Sequence, residues 1–287
     1  MNHLIADNTV QSMRAYLTAQ LEGLYDDRES SNIVAELFSE FKGWSRTDLA
    51  MSRNERISES EMLKFHFALK RLKTKEPLQY VLQKAWFCGL AYYVDQNVLI
   101  PRPETEELVA LIVNSYRNQS PLILDIGTGS GCIAIALKKR ITESQLTAID
   151  VSSAALKIAQ KNADTHTTKI SFRECDILTK IPEGKFNVIV SNPPYIDPSE
   201  ADDMRDQVTQ FEPHLALFTA KNHILQFYER IIEIAPTLLE KNGKVYFEIH
   251  ENQKENLTAL LIERRIQSFQ FHKDLQEKYR ILEIIFA

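Results

Sequence analysis

From Asp7 to about Lys75 the apolar residues return at helical intervals: Val10, Met13, Leu17, Leu21 and Leu24, then Ile33, Val34, Leu37, Phe38 and Phe41. This spacing predicts a small helical bundle. A third stretch runs through Met62, Leu63, Phe67 and Leu69, and Glu61 stands three residues after Ser58, as in a capping box that closes a helix N-terminus. Gly43 and Pro77 punctuate the ends. After Pro77 the pattern changes to aromatic and β-branched residues, AWFCGLAYYVDQNVLI, which predicts a hairpin with its turn near Asp95 to Asn97. In PRPETEELVALIV, Pro103 and the glutamates that follow suit the positive end of a helix dipole.

From Pro121 onward short apolar runs alternate with helical segments: LILDI then CIAIALKKR, LTAID then SSAALKIAQKNA, followed by ISFREC and FNVIVSN. That order predicts an α/β fold, a doubly wound and mostly parallel sheet. A helix around Phe227 to Glu240, a strand at Lys244 to Ile249 and a helix near Gln253 to Arg265 come next. The closing runs SFQFH and RILEIIF are separated by few residues, so they should pair as a terminal antiparallel hairpin. The expected division is a helical domain over 1–76, a hairpin linker over 77–102 and a sheet domain over 103–287.

Composition narrows the classes. A chain of 287 residues suits two domains, and 44% hydrophobic with 25% charged residues is ordinary for a globular protein. The start MNHLIADNTV has no basic and apolar leader, and no run approaches the roughly 18 apolar residues of a membrane span, so a cytoplasmic protein without membrane contact is expected. Cys88, Cys132 and Cys175 are dispersed and form no cluster with the seven histidines, which implies a reducing compartment and no structural metal. The net charge is −5 and no block of basic residues stands ready to neutralise phosphates, so direct nucleic-acid binding is not expected.

The candidate chemistry begins at LILDIGTGSGCIAIAL, where Gly127, Gly129 and Gly131, with Thr128 and Ser130 between them, separate a strand from a helix. Without Cβ atoms the backbone there can approach a ligand closely. The spacing is GxGxG; the third glycine of the dinucleotide fingerprint would fall at Cys132, which argues against a nicotinamide cofactor. Asp150 ends the next strand about twenty residues on, where a carboxylate can accept hydrogen bonds from both ribose hydroxyls, so an adenosyl ligand fits. Asp125 either orients the loop, meets a cofactor ammonium group, or serves as a turn residue.

FNVIVSNPPYI runs a buried strand straight into Asn192, Pro193, Pro194 and Tyr195, at the sheet edge where ligands bind in open α/β folds. The prolines cannot donate and have fixed φ, so they present carbonyls on a stiff loop. The Asn192 side-chain carbonyl and the Pro193 backbone carbonyl could hold the two N–H groups of a planar nitrogen. Held so, its delocalised lone pair would be aimed for in-line displacement, as in methyl transfer from a sulfonium. Tyr195 offers an apolar face to a planar group.

On these residues the sequence resembles the bacterial release-factor glutamine methyltransferase family. EPLQYVLQKAWFCGLAYYVDQNVLIPRPETEELV, DIGTGSGCIAIAL, SNPPYI, FEPHLALF and KDLQEKYRIL all look like family segments, spread over nearly the whole chain. The resemblance implies a class I methyltransferase fold, S-adenosylmethionine as methyl donor with S-adenosylhomocysteine as product, and class 1 peptide chain release factors as partners. It implies cofactor contacts at Gly127 to Gly131, Asp150, Ile177 and Asn192, with Asp176 as an adenine-side candidate or a cap. Asn192, Pro193, Pro194 and Tyr195 would receive the substrate glutamine and carry catalysis at its N5 nitrogen. The helical domain would recognise the substrate. Arg102 and Glu104 would either shape the substrate entrance or simply pair at a helix N-terminus. Ile177 stands where an aromatic residue is often found, TAKNHIL replaces a usually glycine-rich stretch, and EIHENQ replaces a Glu-x-Gly-like run. An adenine-N6 or cytosine-N4 nucleic-acid methyltransferase and a nonenzymatic binding module of the same fold are the alternatives.

Overall fold

The computed structural model describes residues 7–204 and 206–286. The chain divides into two compact units, residues 1–84 with 206–211, and residues 85–205 with 212–287.

In the helical unit, α1 (Val10–Leu21), α2 (Asp27–Lys42), α3 (Arg46–Met51), α4 (Glu59–Leu72) and α5 (Leu78–Leu82) follow one another. Helix α1 buries Val10, Met13, Leu17 and Leu21, the stripe its spacing predicts. Gly43 ends α2 in the left-handed conformation, and the Ser58–Glu61 capping box opens α4. The Glu61 carboxylate also reaches the Lys42 ammonium at 2.8 Å, joining the end of α2 to the start of α4. Lys42 and then Ser58 hold that carboxyl down at about 2. Helix α4 differs from the expected stripe: it buries Phe65, Ala68, Leu69 and Leu72, while Leu63 and Phe67 are exposed. The buried set follows i, i+3, i+4, i+7 from Phe65, so Leu63 and Phe67 fall on the outer face. Phe65 sits 4.6 Å from the Phe38 ring and 5.1 Å from that of Phe41, centre to centre.

The second unit opens with a two-stranded hairpin, β1 (Ala85–Phe87) and β2 (Leu90–Tyr92). Its turn is at Cys88 and Gly89, not near Asp95 to Asn97. Both turn residues have positive φ, 52° and 78°, the conformation that a two-residue hairpin loop demands. Asp95 instead makes a separate turn, accepting from the Asn97 amide on its side chain and the Val98 amide on its carbonyl.

Then come α6 (Pro103–Tyr116), β3 (Leu122–Ile126), α7 (Cys132–Arg140), β4 (Gln145–Asp150), α8 (Ser153–Thr165), β5 (Ser171–Glu174) and β6 (Phe186–Ser191). They are followed by α9 (Asp206–Phe211), α10 (His214–Leu217), α11 (Gln226–Leu238), β7 (Leu239–Glu248), α12 (Lys254–Glu263), β8 (Phe269–Lys273) and β9 (Tyr279–Ile285). Helix α9 groups with the helical unit.

The sheet order is β5-β4-β3-β6-β7-β9-β8, parallel from β5 through β7, with β9 antiparallel to both β7 and β8. Both faces are covered. Ile123, Val188, Val190 and Tyr246 pack with α6 and α7, whereas Leu124, Ile189, Val245 and Phe247 pack with α11 and α12. Coverage on both sides explains why these strands read as unbroken apolar runs. Strand order reverses between β3 and β6, and the carboxyl ends of those two strands are where an open sheet offers a crevice.

Candidate active site

Beyond β3 the chain is pinned to β4, because the Gly127 and Thr128 amides both donate to the Ile149 carbonyl, at 2.9 and 3.0 Å. Gly127 and Gly129 have φ of 73° and 54° with nothing within 4 Å of where a Cβ would stand, so their backbone faces open space. Gly131 is a packing glycine: at the start of α7, an added Cβ would meet the Ala159 Cβ and Cα at 3.1 and 3.2 Å. Asp150 accepts from the Gly129 amide on one oxygen and the Ser152 amide on the other, each at 2.9 Å. Burial raises its carboxyl, with those amides opposing the rise.

Asp125 is wholly buried, and its Oδ2 accepts from the Thr128 hydroxyl at 2.7 Å. Its Oδ1 has no hydrogen-bond partner among the described residues. Burial pushes this carboxyl up to about 7; the Thr128 hydroxyl opposes the rise and the charge of Asp150 adds to it. The Ala134 amide also opposes the rise without reaching hydrogen-bond geometry.

A cleft opens over these strand ends. Gly127, Gly129, Asp150, Asp176, Ile177, Asn192, Pro193 and Pro194 all line it, so the glycine loop and the Asn-Pro-Pro segment share one concavity. Thr128, Ser130, Gly131 and Tyr195 do not line it. Tyr195 packs against the core on the α11 side, its ring centre 5.9 Å from that of His250, and burial raises its phenol. Asp176 caps its own turn, accepting from the Leu178 amide and the Thr179 hydroxyl at 3.0 Å each. Val98, Leu215 and Phe227 complete the apolar wall, none of which the sequence singled out.

Strands β6 and β7 are parallel neighbours with Ser191 opposite Phe247, so the next residues, Asn192 and Glu248, emerge side by side. Thr105, in the first turn of α6, lies between their side chains. Asn192 Nδ2 donates to Thr105 Oγ1 at 3.3 Å, and Thr105 Oγ1 donates to Glu248 Oε2 at 2.5 Å. Glu248 is 2% exposed, and burial pushes its carboxyl up to about 7. Hydrogen bonding from Thr105 and the nearby Arg280 oppose the rise. The signal for Glu248 is a lone acid ending an otherwise apolar strand, VYFE, level with the Asn-Pro-Pro segment.

Arg102 does not pair with Glu104. It reaches Glu212 at 2.6 Å, and Glu212 also accepts from the Ile100 amide at 3.2 Å. Glu212 is 4% exposed, so the partner it needs is the guanidinium that fixes the approach to α6.

A glycine-loop cleft at the switch point of a sheet that closes with an antiparallel pair defines the methyltransferase fold. Residues 105–211 match the model of the methyltransferase small domain, and residues 12–82 match the PrmC N-terminal domain. The hMettl16 catalytic domain, solved in complex with MAT2A 3′UTR hairpin 1, superposes with a TM-score of 0.57 at 15% identity, over 90% of this chain and 91% of that one. A Pyrococcus furiosus methyltransferase gives 0.52 at 17% identity, over 80% of this chain and 98% of that one. At such identities the likeness concerns the fold.

Sequence relatives are closer. The release factor glutamine methyltransferase of Flavobacterium psychrophilum is 38% identical over 96% of this chain and 99% of its own length. That of Bacteroides thetaiotaomicron is 36% identical over 93% and 97%, and that of Staphylococcus aureus 41% over 77% and 80%. The chain belongs to the release factor glutamine methyltransferase family.

Proposed function

We propose that this protein transfers a methyl group from S-adenosylmethionine to the N5 amide nitrogen of the glutamine in the Gly-Gly-Gln motif of class 1 peptide chain release factors, in the cytoplasm. The observation that carries the reading is the placement of Asn192 and Pro193 in the cleft that the glycine loop borders. Relatives that share the chain over nearly its whole length support the substrate. Both alternatives are less well supported: those relatives are named for a protein substrate, and the cleft retains the residues that a binding remnant would not need. No helix among the described residues is long and apolar enough to cross a membrane.

The cleft fits the cofactor on its own terms. Gly127 and Gly129 turn open backbone toward it, and Asp150 stands at its edge. Gly127 and Gly129 would approach the amino-acid end, with Thr128, Ser130 and Gly131 shaping the loop behind them. Asp150 would accept the ribose hydroxyls, and Asp176 and Ile177 would border the adenine. When bound, the donor supplies an electrophilic methyl group on a sulfonium. Asn192 Oδ1 and the Pro193 carbonyl would accept the two N–H groups of the substrate amide. As positive charge builds on nitrogen those N–H groups grow more acidic, so both contacts strengthen toward the transition state. Pro194 stiffens the loop, and Tyr195, packed into the core behind it, anchors it. Residues 1–76 would recognise the substrate, residues 77–102 link, and residues 103–287 catalyse.

Incubation with labelled methyl donor and a purified release factor, followed by mass spectrometry, tests the reading. Label on the glutamine amide supports it; label on another residue, or none, defeats it.

A further inference from the structure

Asparagine presents two chemically opposite ends, an acceptor oxygen and a donor nitrogen, on nearly identical shapes. At Asn192 only one end can serve a substrate whose nitrogen offers donors, so something must decide which end faces the cleft. Thr105 has a single hydroxyl proton. At 2.5 Å from Glu248 Oε2 that proton is committed to the carboxylate once the carboxyl, raised by burial to about 7, has ionised, and Glu248 is buried beyond the reach of competing water. Thr105 Oγ1 is therefore left facing Asn192 as an acceptor, and Asn192 Nδ2 meets it at 3.3 Å. A reversed amide would set oxygen lone pairs against oxygen lone pairs in a water-poor place, and would leave Nδ2 without this acceptor.

We propose that Thr105 and Glu248 are positioning residues that fix the Asn192 amide with its nitrogen turned to α6 and its oxygen turned to the substrate. The proposal rests on Asn192 being the substrate acceptor. The register of β6 and β7 gives it a structural basis, since the two strands deliver Asn192 and Glu248 at one level and the first turn of α6 drops Thr105 between them. Neither Thr105 nor Glu248 lines the cleft, so their effect passes through Asn192.

The test is single-turnover methylation of a purified release factor, with donor affinity measured by calorimetry on each variant. Thr105→Val keeps shape and loses the hydroxyl; it should slow transfer by roughly 10-fold to 10²-fold, the scale of a misplaced reacting group, while donor affinity holds. Thr105→Ser, which restores the hydroxyl, should return to within about threefold of wild type. Asn192→Asp should be severely slowed by a second carboxylate beside Glu248. Adding Glu248→Gln to Asn192→Asp should recover transfer by about tenfold or more, because it removes the repulsion and frees the Thr105 proton for the new carboxylate. A purely structural role predicts no such rescue. Thr105→Val at the Thr105→Ser rate, or Asn192→Asp unimproved by Glu248→Gln, would overturn the positioning role. If Asn192→Ala itself transfers at the wild-type rate, the fault lies in the functional reading instead.

Discussion

Asp150 Oδ2 accepts the amide hydrogen of Gly129 at 2.9 Å, so a carboxylate at the end of β4 clasps the glycine loop that leaves β3. The same carboxylate borders the cleft, and each of its oxygens has a second lone pair beyond the amide it already holds. Asp150→Ala should weaken donor binding by about 1.5 to 3 kcal/mol, the range of a hydrogen bond to a charged group. Calorimetry with S-adenosylhomocysteine reads this directly, and an unchanged affinity would remove Asp150 from the ribose.

Asn192→Ala should lower the methyl-transfer rate by roughly 10² to 10³, comparable to the loss of one preorganised electrostatic contact. Donor affinity should fall less, because the lost contact strengthens only as charge develops on the accepting nitrogen. Single-turnover rates set beside calorimetric affinities separate the two. A near-native rate would reduce the Asn-Pro-Pro segment to scaffold.

Two glycines of one loop should fail in different ways. Gly131→Ala combines a φ of 80° with contacts at 3.1 and 3.2 Å to Ala159, and should cost about 2 to 4 kcal/mol of stability, from left-handed strain plus overpacking. Gly129→Ala meets nothing within 4 Å and should cost only about 1 to 2 kcal/mol of strain, while its methyl group intrudes on the cleft and lowers donor affinity. Urea titration and calorimetry on the pair check the contrast; equal losses in both measurements would contradict it.

The buried Glu248 carboxyl makes stability depend on pH. Its value rises from 4.5 to about 7 in the folded chain, so the fold holds this proton more tightly than the unfolded chain does. The group's contribution is therefore complete below about 4.5 and is lost as pH climbs through about 7. Glu248→Gln abolishes that slope. Relative to wild type the variant should gain up to about 3 kcal/mol between acidic and mildly alkaline conditions, an upper bound from the size of the shift. Asp125 has a slope of the same sign, but it is common to both proteins and cancels. Urea midpoints measured across that range give the difference, and parallel curves would show that Glu248 does not titrate in this window.

What the sequence made legible was whatever depended on near neighbours. The Ser58–Glu61 capping box and the apolar stripe of α1 each need information from within a few turns of chain, and each stands where its residues predict. The Gly127 to Gly131 loop and Asn192 announced themselves through residue types that have few other uses at a strand end. The hairpin turn moved because Cys88 accepts a positive φ that a non-glycine residue seldom takes, while Asp95 to Asn97 has the composition of a turn and makes one of another kind. Contacts distant along the chain left no such trace. Arg102 finds Glu212 and Thr105 finds Glu248 only once the sheet has assembled, and nothing near Arg102 distinguishes Glu212 from the closer Glu104.

The alignment of β6 with β7 has an engineering consequence. Phe186 faces Leu239, yet Val188 already faces Lys244, so β7 carries surplus residues at 240–243 before the ladder settles into step. From Lys244 on, pairing proceeds one for one to Phe247, and it is this later stretch that sets Asn192 level with Glu248. The surplus therefore acts as slack in the chain. A short insertion there, for an epitope or a fluorophore attachment point, should be absorbed at the far end of the sheet, whereas one extra residue between Val188 and Ser191 would turn the whole Asn-Pro-Pro segment onto the wrong face.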